Sequence, residues 1–325
     1  MEDLSGLGLG EAELFSFAPA DPAAAEHIDA PRYSYWGSVI RVFFQKKGNW
    51  ALLGLLVCLL VFIYLYPALT GYDPAVDPFE HLLDPAAKHL SPGAAMEKFG
   101  SSVRWIFGSG ASGESTFDAV WYGAGISVTL AFLCAAINLT VGVAVGAVWG
   151  FSRRLDTVLT GVYHVVSNVP YILLVSVLVL VLSPGFWTLV FALTVTGWLS
   201  VAWFIRTQVL IIRGREYNLA SQCLGTSVFR IALKNILPFM TSVIVTLAAT
   251  EIPQYISYEV FLSYIGMGLG EMSLGRLIQA SQAAMLTPGW ELEFWAPVAV
   301  ASVIAVTLYL MGQSLGDASD PKTHL

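Results

Sequence analysis

The stretch RGREYNLASQCLGTSVFRIALKNILP, residues 213–238, is a polar island between two long apolar segments. It carries Arg213, Arg215, Arg230 and Lys234 against the single acid Glu216. A Lys/Arg excess of this kind marks the cytoplasmic side of a membrane protein. The pattern reads helix, break, helix. Tyr217, Ala220 and Leu224 recur at helical spacing and make one apolar stripe. Gly225 suits the left-handed conformation that ends a helix. Thr226 or Ser227 can cap the next one, whose stripe is Phe229, Leu233 and Ile236. Pro238 falls in the first turn of the following apolar segment, where its missing N–H has no helical partner to lose. Two amphipathic helices in this place are either a loop lying in the headgroups or a pair that docks into a partner.

Working outward, the composition settles the solvent. Of 325 residues, 56% are hydrophobic and 12% charged, with a mean hydropathy of +0.68. A soluble domain carries about 25% charged residues. The chain is therefore expected to be an all-α integral membrane protein. Its net charge of −7 is lopsided, with acids crowded at the N-terminus and after Tyr72, and bases flanking the apolar runs. Nucleic-acid binding has no support. Cys58, Cys134 and Cys223 are too dispersed for a disulfide framework or a metal site. No nucleophile, general-base set or metal cluster stands out, so neither catalytic chemistry nor a cofactor is expected. An acidic leader precedes the first apolar run, where a cleavable signal would be short and basic; that run is expected to stay as an anchor.

In order, residues 1–30 read as an acidic cytoplasmic tail and 31–49 as an interfacial amphipathic helix. In the latter, Trp36, Val39, Ile40, Phe43 and Phe44 share a face beside Arg41, Lys46 and Lys47. A first transmembrane helix covers 50–71, an external loop 72–119, a transmembrane core 120–316 and a cytoplasmic tail 317–325. Six spans of the length that crosses a bilayer are expected: Trp50–Leu69, Val120–Phe151, Leu155–Leu182, Phe186–Leu210, Leu237–Ile265 and Phe294–Leu315. Threaded with both termini in the cytoplasm, they leave only Lys88, Lys98, Arg104 and Arg276 of the 16 Lys and Arg outside.

Within the spans, Gly142, Gly146 and Gly150 recur every fourth residue, which suits close helix packing in lipid. Asn168 and Pro170 interrupt the third span; the proline is expected to kink it, as a purely structural bend or as part of a pathway. Glu251, Tyr255, Tyr258 and Glu259 lie near one face of the fifth. A carboxylate at mid-membrane costs about 2.5–3.5 kcal/mol, so each glutamate either faces a protein interior or water-filled path, or snorkels to the interface. Gly108 to Ser115 has the glycine spacing of a phosphate loop, but Glu114 occupies the lysine position, and a flexible linker is expected instead. Residues 271–293 are expected to include a short helix on the membrane surface, built on Leu274, Leu277, Ile278 and Met285. Glu291 and Glu293 are expected at the mouth of the bundle.

Several landmarks then agree in order. They are Ala220-Ser221 with Gly225 and Leu237-Pro238, Tyr122-Gly123-Ala124, the run Glu259–Leu269 (EVFLSYIGMGL), and Leu315–Pro321 (LGDASDP). Together the chain resembles the C-type permease subunit of oligopeptide/dipeptide ABC importers, in particular those of Gram-positive bacteria, from about Tyr33 onward. The resemblance implies the type I importer permease fold, with 213–238 as a coupling loop. It also implies a second homologous permease, two cytoplasmic ATP-binding subunits and an external peptide-binding lipoprotein in the plasma membrane, with ATP hydrolysis on the partners. It assigns ATPase coupling to Glu216, Tyr217, Ala220, Ser221, Leu224, Gly225, Thr226, Arg230 and Pro238. Two departures stand out. Leu219 replaces the acidic residue of the coupling motif, and the external run before span two keeps only Phe107-Gly108 and Gly113, with Gly125 where Arg is common. Related importers of dipeptides, nickel or other small solutes remain open within the class. A gradient-driven secondary transporter using Glu251 and Glu259 is the rival from another class, although the internal repeat such folds carry is not apparent.

Overall fold

The computed structural model describes residues 35–74 and 85–320. The acidic tail 1–30, the stretch 31–34, Pro78 and the terminal Pro321 lie outside the described residues. The chain divides into two units, 1–38 and 39–325. Of the first, only the opening turn of α1 (Tyr35–Gln45) is described. In the second, α1 continues with Val39 and Phe43 buried one turn apart, whereas Ile40, expected on the same face, is 56% exposed.

The described residues are helical almost throughout. The first span runs from Lys47 to Thr70 as α2 (Lys47–Leu60), a wide π-type turn, and α3 (Tyr66–Thr70). The wide turn precedes Pro67, whose ring would clash with the carbonyl four residues back in an unbroken helix. A short helix, α4 (Pro92–Phe99), lies in the loop before α5 (Thr116–Trp149). Then follow α6 (Arg153–Ser167), α7 (Tyr171–Leu182), α8 (Phe186–Val195) and α9 (Trp198–Arg213). The polar island folds as α10 (Glu216–Cys223) and α11 (Val228–Ile231). After a second wide turn ahead of Pro238 come α12 (Thr241–Tyr264), α13 (Leu274–Ala280) and α14 (Glu291–Ser319).

Four stretches are long and apolar enough to cross a membrane, and two bent pairs make six if each is one span. Helix direction decides in favour of six. A side chain at Gly142 would strike Val201, one at Gly146 would strike Ala202 and Ile205, and one at Gly150 would strike Val209. Both sequences rise together, so α5 and α9 run parallel, and the chain between them must return across the whole layer. That return is α6 with α7. In contrast, Gly312 meets Ala249 and Gly316 meets Thr246, so α12 and α14 are antiparallel. The expected glycine seam is therefore real, and its partner is the fourth span.

The third span departs from expectation in degree. Instead of a kinked helix, the chain turns by 80° between Ser167 and Tyr171. Pro170 cannot donate to the ladder, and Asn168 Nδ2 donates to the His164 carbonyl at 2.5 Å, closing α6 with its own side chain. The fourth span is also interrupted, at Thr196-Gly197. One end of the bundle gathers Lys46 with Asp317 at 3.5 Å and Arg213 with the Gly150 carbonyl at 2.5 Å. The opposite end joins His89 Nδ1 to Glu293 at 2.7 Å and pairs Asp118 with both Tyr66 and Arg104.

Two loop expectations are corrected. The Gly108–Ser115 stretch is a folded loop rather than a flexible linker. Ser109 and Ser115 form a bridge, Ser109 N–H donates to the Leu90 carbonyl at 3.1 Å, and Ser109 Oγ donates to Ala87 O at 2.5 Å. Gly108 holds a φ of +78° with the Leu90 carbonyl against it, a position only glycine fills without strain. Burial pushes the Glu114 carboxyl above its usual range, partly offset by the Ser112 N–H that it accepts at 2.9 Å. Similarly, α13 is not a surface helix. Leu274 and Ile278 are buried, and a side chain at Gly275 would strike Ser263 and Val260 of α12, so α13 packs into the bundle. Glu293 is buried, whereas Glu291 stays exposed and accepts the Gly289 N–H.

Replacing Gly146 with Val should cost about 1–3 kcal/mol by overpacking, because its Cβ would sit 2.5 Å from the Ala202 carbonyl. Gly54, with nothing within 4 Å, is the matched control. A lower thermal-unfolding midpoint for purified G146V, and an unchanged one for G54V, is the expected outcome.

Candidate functional site

Two places in the fold concentrate chemistry. The first is the polar island. Gly225 holds a φ of +78°, the Gly225 N–H donates to Gln222 O at 2.9 Å and the Thr226 N–H to Ser221 O at 3.1 Å. This pair of reversed bonds is the Schellman stop, and the glycine is what permits it. Ser227, the second of the two proposed caps, accepts the Arg230 N–H at 3.4 Å. Pro238 opens a 3₁₀ turn before α12.

Most of the two apolar stripes faces outward. Ile231, Ala232 and Ile236 are buried, whereas Phe229 and Leu233 are 64% and 47% exposed. Of the expected second stripe only Ile236 packs inward. On α10 the stripe residues Tyr217 and Leu224 are exposed, Leu224 to 85%, and Leu219 joins them. The pair is held by a polar anchor that spacing alone does not identify. Asn218 is fully buried, donates to the Ile212 carbonyl at 3.0 Å, and accepts from Asn235 at 3.2 Å. Asn235 also reaches Ser221 Oγ at 3.5 Å, and the Arg215 guanidinium lies 4.6 Å over the Phe239 ring. Asn218 of α10 and Asn235 of the wide turn after α11 thus hold the pair, with Tyr217, Leu219 and Phe229 facing away from the chain and Ile231 facing in. Glu216 and Arg230 are exposed beside them.

The second place is a cavity of about 330 Å³ where the breaks in spans three and four meet α12. Pro170 and Tyr171 line it from the first break, Thr196 and Gly197 from the second, and Glu251, Gln254, Tyr255 and Tyr258 from α12. The breaks are stabilised locally. Ending α8 early frees the Leu193 carbonyl, which accepts from Tyr171 Oη at 2.6 Å and Asn138 Nδ2 at 3.2 Å. Asn138 Nδ2 also donates to Tyr255 Oη at 2.5 Å. A side chain at Gly197 would collide with that amide, so glycine keeps the junction open. Asn138 Oδ1 and Thr196 Oγ1 are buried without a hydrogen-bond partner among the described residues. Asn138, Thr196 and Gly197 went unrecognised in the sequence; a polar residue in an apolar run was the available signal.

Of the residues singled out for a path, Pro170, Glu251, Tyr255 and Tyr258 share this cavity. Asn168 closes α6 and is not among its lining. Glu259 stands elsewhere: it is fully buried and accepts hydroxyls from Ser127 at 2.7 Å, Ser263 at 2.8 Å and Ser273 at 2.7 Å. It ties α5, α12 and the start of α13 together and neither snorkels nor faces the cavity. No group of His, Cys, Asp or Glu with metal-site geometry occurs among the described residues.

An all-helical, multi-pass bundle with broken spans around a polar-lined cavity, and an amphipathic helix pair at one end, has the build of a membrane permease. Residues 138–325 match the family described as binding-protein-dependent transport system inner membrane component. The chain is 41% identical over 314 residues to the oligopeptide transport system permease protein AmiD of Streptococcus pneumoniae, covering 96% of this chain and 98% of that one. It is 32% identical to the dipeptide transport system permease protein DppC of Bacillus subtilis, over 92% and 89% of the two chains. The oligopeptide transport system permease protein OppC of the same organism is 31% identical, over 95% and 97%. The chain belongs to this inner-membrane transport family.

Replacing Glu259 with Ala would leave three buried hydroxyls without their acceptor, at about 1–3 kcal/mol each at most. Thermal unfolding of the purified chain should show a clear loss for E259A and a smaller one for E259Q, which keeps an acceptor oxygen.

Proposed function

We propose that this chain is the membrane-spanning permease subunit of an ATP-driven oligopeptide importer in the plasma membrane, with both termini in the cytoplasm. It forms half of the translocation pathway beside a second, homologous permease. Two cytoplasmic ATP-binding subunits and an external peptide-binding lipoprotein complete the assembly, and ATP is hydrolysed on those partners. The names of its relatives support peptide as the substrate class, and the distribution of Lys and Arg supports the orientation.

The observation that carries the proposal is the outward apolar face of the polar island. Tyr217, Leu224, Phe229 and Leu233 stand exposed on helices that are themselves anchored by Asn218 and Asn235. A rigid, exposed apolar patch at the end of a bundle is a docking surface. In this reading Glu216, Tyr217, Ala220, Ser221, Leu224, Gly225, Thr226 and Arg230 meet the ATPase, while Pro238 starts the span that transmits its motion. Leu219 adds apolar area where the coupling motif has an acid. The cavity bounded by Pro170, Glu251, Tyr255 and Tyr258 belongs to the path, with Asn168 and Glu259 holding the helices around it.

A β-branched side chain at Gly225 is incompatible with its positive φ and should misplace α11 relative to α10. G225V is expected to reach the membrane yet lose most peptide uptake and substrate-stimulated ATP hydrolysis; wild-type levels of both would sink the docking role. Single cysteines replacing Ser221 or Ser227 should cross-link to an ATPase subunit in intact membranes, and labelling of those positions only from the outside would reverse the orientation.

A further inference from the structure

The geometry points to a cation subsite inside this subunit: the cavity at the two helix breaks takes the positively charged group of a passing peptide, its N-terminal ammonium or a Lys or Arg side chain, on the Glu251 carboxylate and the surrounding tyrosine faces. This inference rests on the importer reading and adds a charge preference to it.

Glu251 sets the sign of the cavity. It is half-buried, and no Lys, Arg or His is among the residues that line the space. Each of the two breaks presents one helix C-terminus and one N-terminus, so their partial charges oppose one another and leave the carboxylate unbalanced. The Arg206 guanidinium, on the helix that follows the second break, is already engaged. It pairs with Asp156 at 2.5 Å and lies over the Trp203 ring, on which Tyr163 is stacked at 4.4 Å. Tyr163 in turn lines the cavity, whereas Arg206 and Trp203 do not.

The wall beside the carboxylate is polar as well. Tyr255 Oη accepts from Asn138 Nδ2, which leaves its own proton to donate into the cavity that it lines with Glu251. A carboxylate offers about four acceptor sites, two on each oxygen. Around it stand Tyr171 and Tyr258, with rings 5.2 Å apart, and Tyr255, 5.9 Å from Tyr258. A carboxylate beside aromatic faces in a partly desolvated pocket is the chemistry that recognises organic cations. Thr196 Oγ1, unpartnered at the same junction, supplies a further acceptor for an ammonium proton. The volume of about 330 Å³ accommodates a terminal ammonium or one basic side chain, not a folded peptide.

The test is ATP-dependent uptake by the complete importer in membrane vesicles, comparing short alanine peptides that carry one central Lys or one central Glu. The ratio of Lys-peptide to Glu-peptide uptake cancels differences in expression. In E251Q that ratio should fall about fivefold or more where a basic side chain is the bound group, and E251D should largely restore it. Both peptides carry the N-terminal ammonium, which cancels from that ratio, so it is read separately as uptake of the free Glu peptide over its N-acetylated form: a fall in the first ratio assigns the subsite to the side chain, and a fall in the second assigns it to the N-terminal ammonium. If E251Q fails to assemble, Q254E adds a second carboxylate at an exposed wall position and should raise one of the two ratios. Both ratios unchanged in E251Q, or in Q254E where E251Q cannot be read, overturn the cation subsite while leaving the importer reading intact. Absence of ATP-dependent uptake of any peptide by the wild-type assembly sinks both.

Discussion

The close parallel packing of α5 on α9 is the constraint from which the rest of the bundle follows. In lipid there is little hydrophobic gain in bringing two apolar helices together, so they associate by dispersion contacts between closely approaching backbones. Gly142, Gly146 and Gly150 supply that approach by presenting no side chain to Val201, Ala202, Ile205 and Val209. Because the two helices run the same way, residues 151–185 must bring the chain back across the bilayer. A single straight helix could do this, but Pro170 and the Asn168 cap divide the return into two arms at 80°. The opening between those arms, facing the break at Thr196-Gly197, is the cavity.

Breaking helices inside a membrane exposes backbone groups that lipid cannot satisfy, so breaks occur where protein or an aqueous space can. Here the Leu193 carbonyl freed by the second break is claimed by Tyr171 and Asn138. The same logic separates the two glutamates of α12. Glu259 has three seryl hydroxyls and serves as a polar joint between helices, whereas Glu251 opens onto the cavity among tyrosines. Residues eight apart on one helix thus differ because their neighbours do, and helical spacing cannot see neighbours.

That distinction marks how far the sequence was legible. Span count, the glycine seam, the Gly225 stop and the importer resemblance were all readable, because each depends on local pattern or on solvent. The two apolar stripes were legible from spacing, and Tyr217, Leu224, Phe229 and Leu233 stand exposed; what spacing did not reveal is that Ile236 packs inward and that Asn218 and Asn235 anchor the pair. The loop 108–115 looked flexible from composition, yet Gly108 lets the Leu90 carbonyl approach, and that contact comes from outside the stretch. The helix α13 looked superficial because the Glu259 carboxylate that draws in Ser273 lies on another span.

Within the proposed importer, these same contacts describe how a push at one end could reach the other. Asn218 and Asn235 join α10 to the turn that opens α12, and α12 runs without a break from Thr241 to Tyr264. Along it stand Ala249 against Gly312, Glu251 in the cavity wall, and Glu259 gripping α5 and the start of α13. In that reading a displacement of α10 would arrive at the cavity and at the far end of the bundle through one helix, held by the asparagine contact before its start and by the Glu259 hydrogen bonds near its end. Apolar contacts alone would let the elements slip past each other. Directional bonds to Asn218 and Glu259 resist slipping, because a buried donor or acceptor that loses its partner has no water to replace it. The polar groups that cost most to bury are therefore the ones that make α12 a lever.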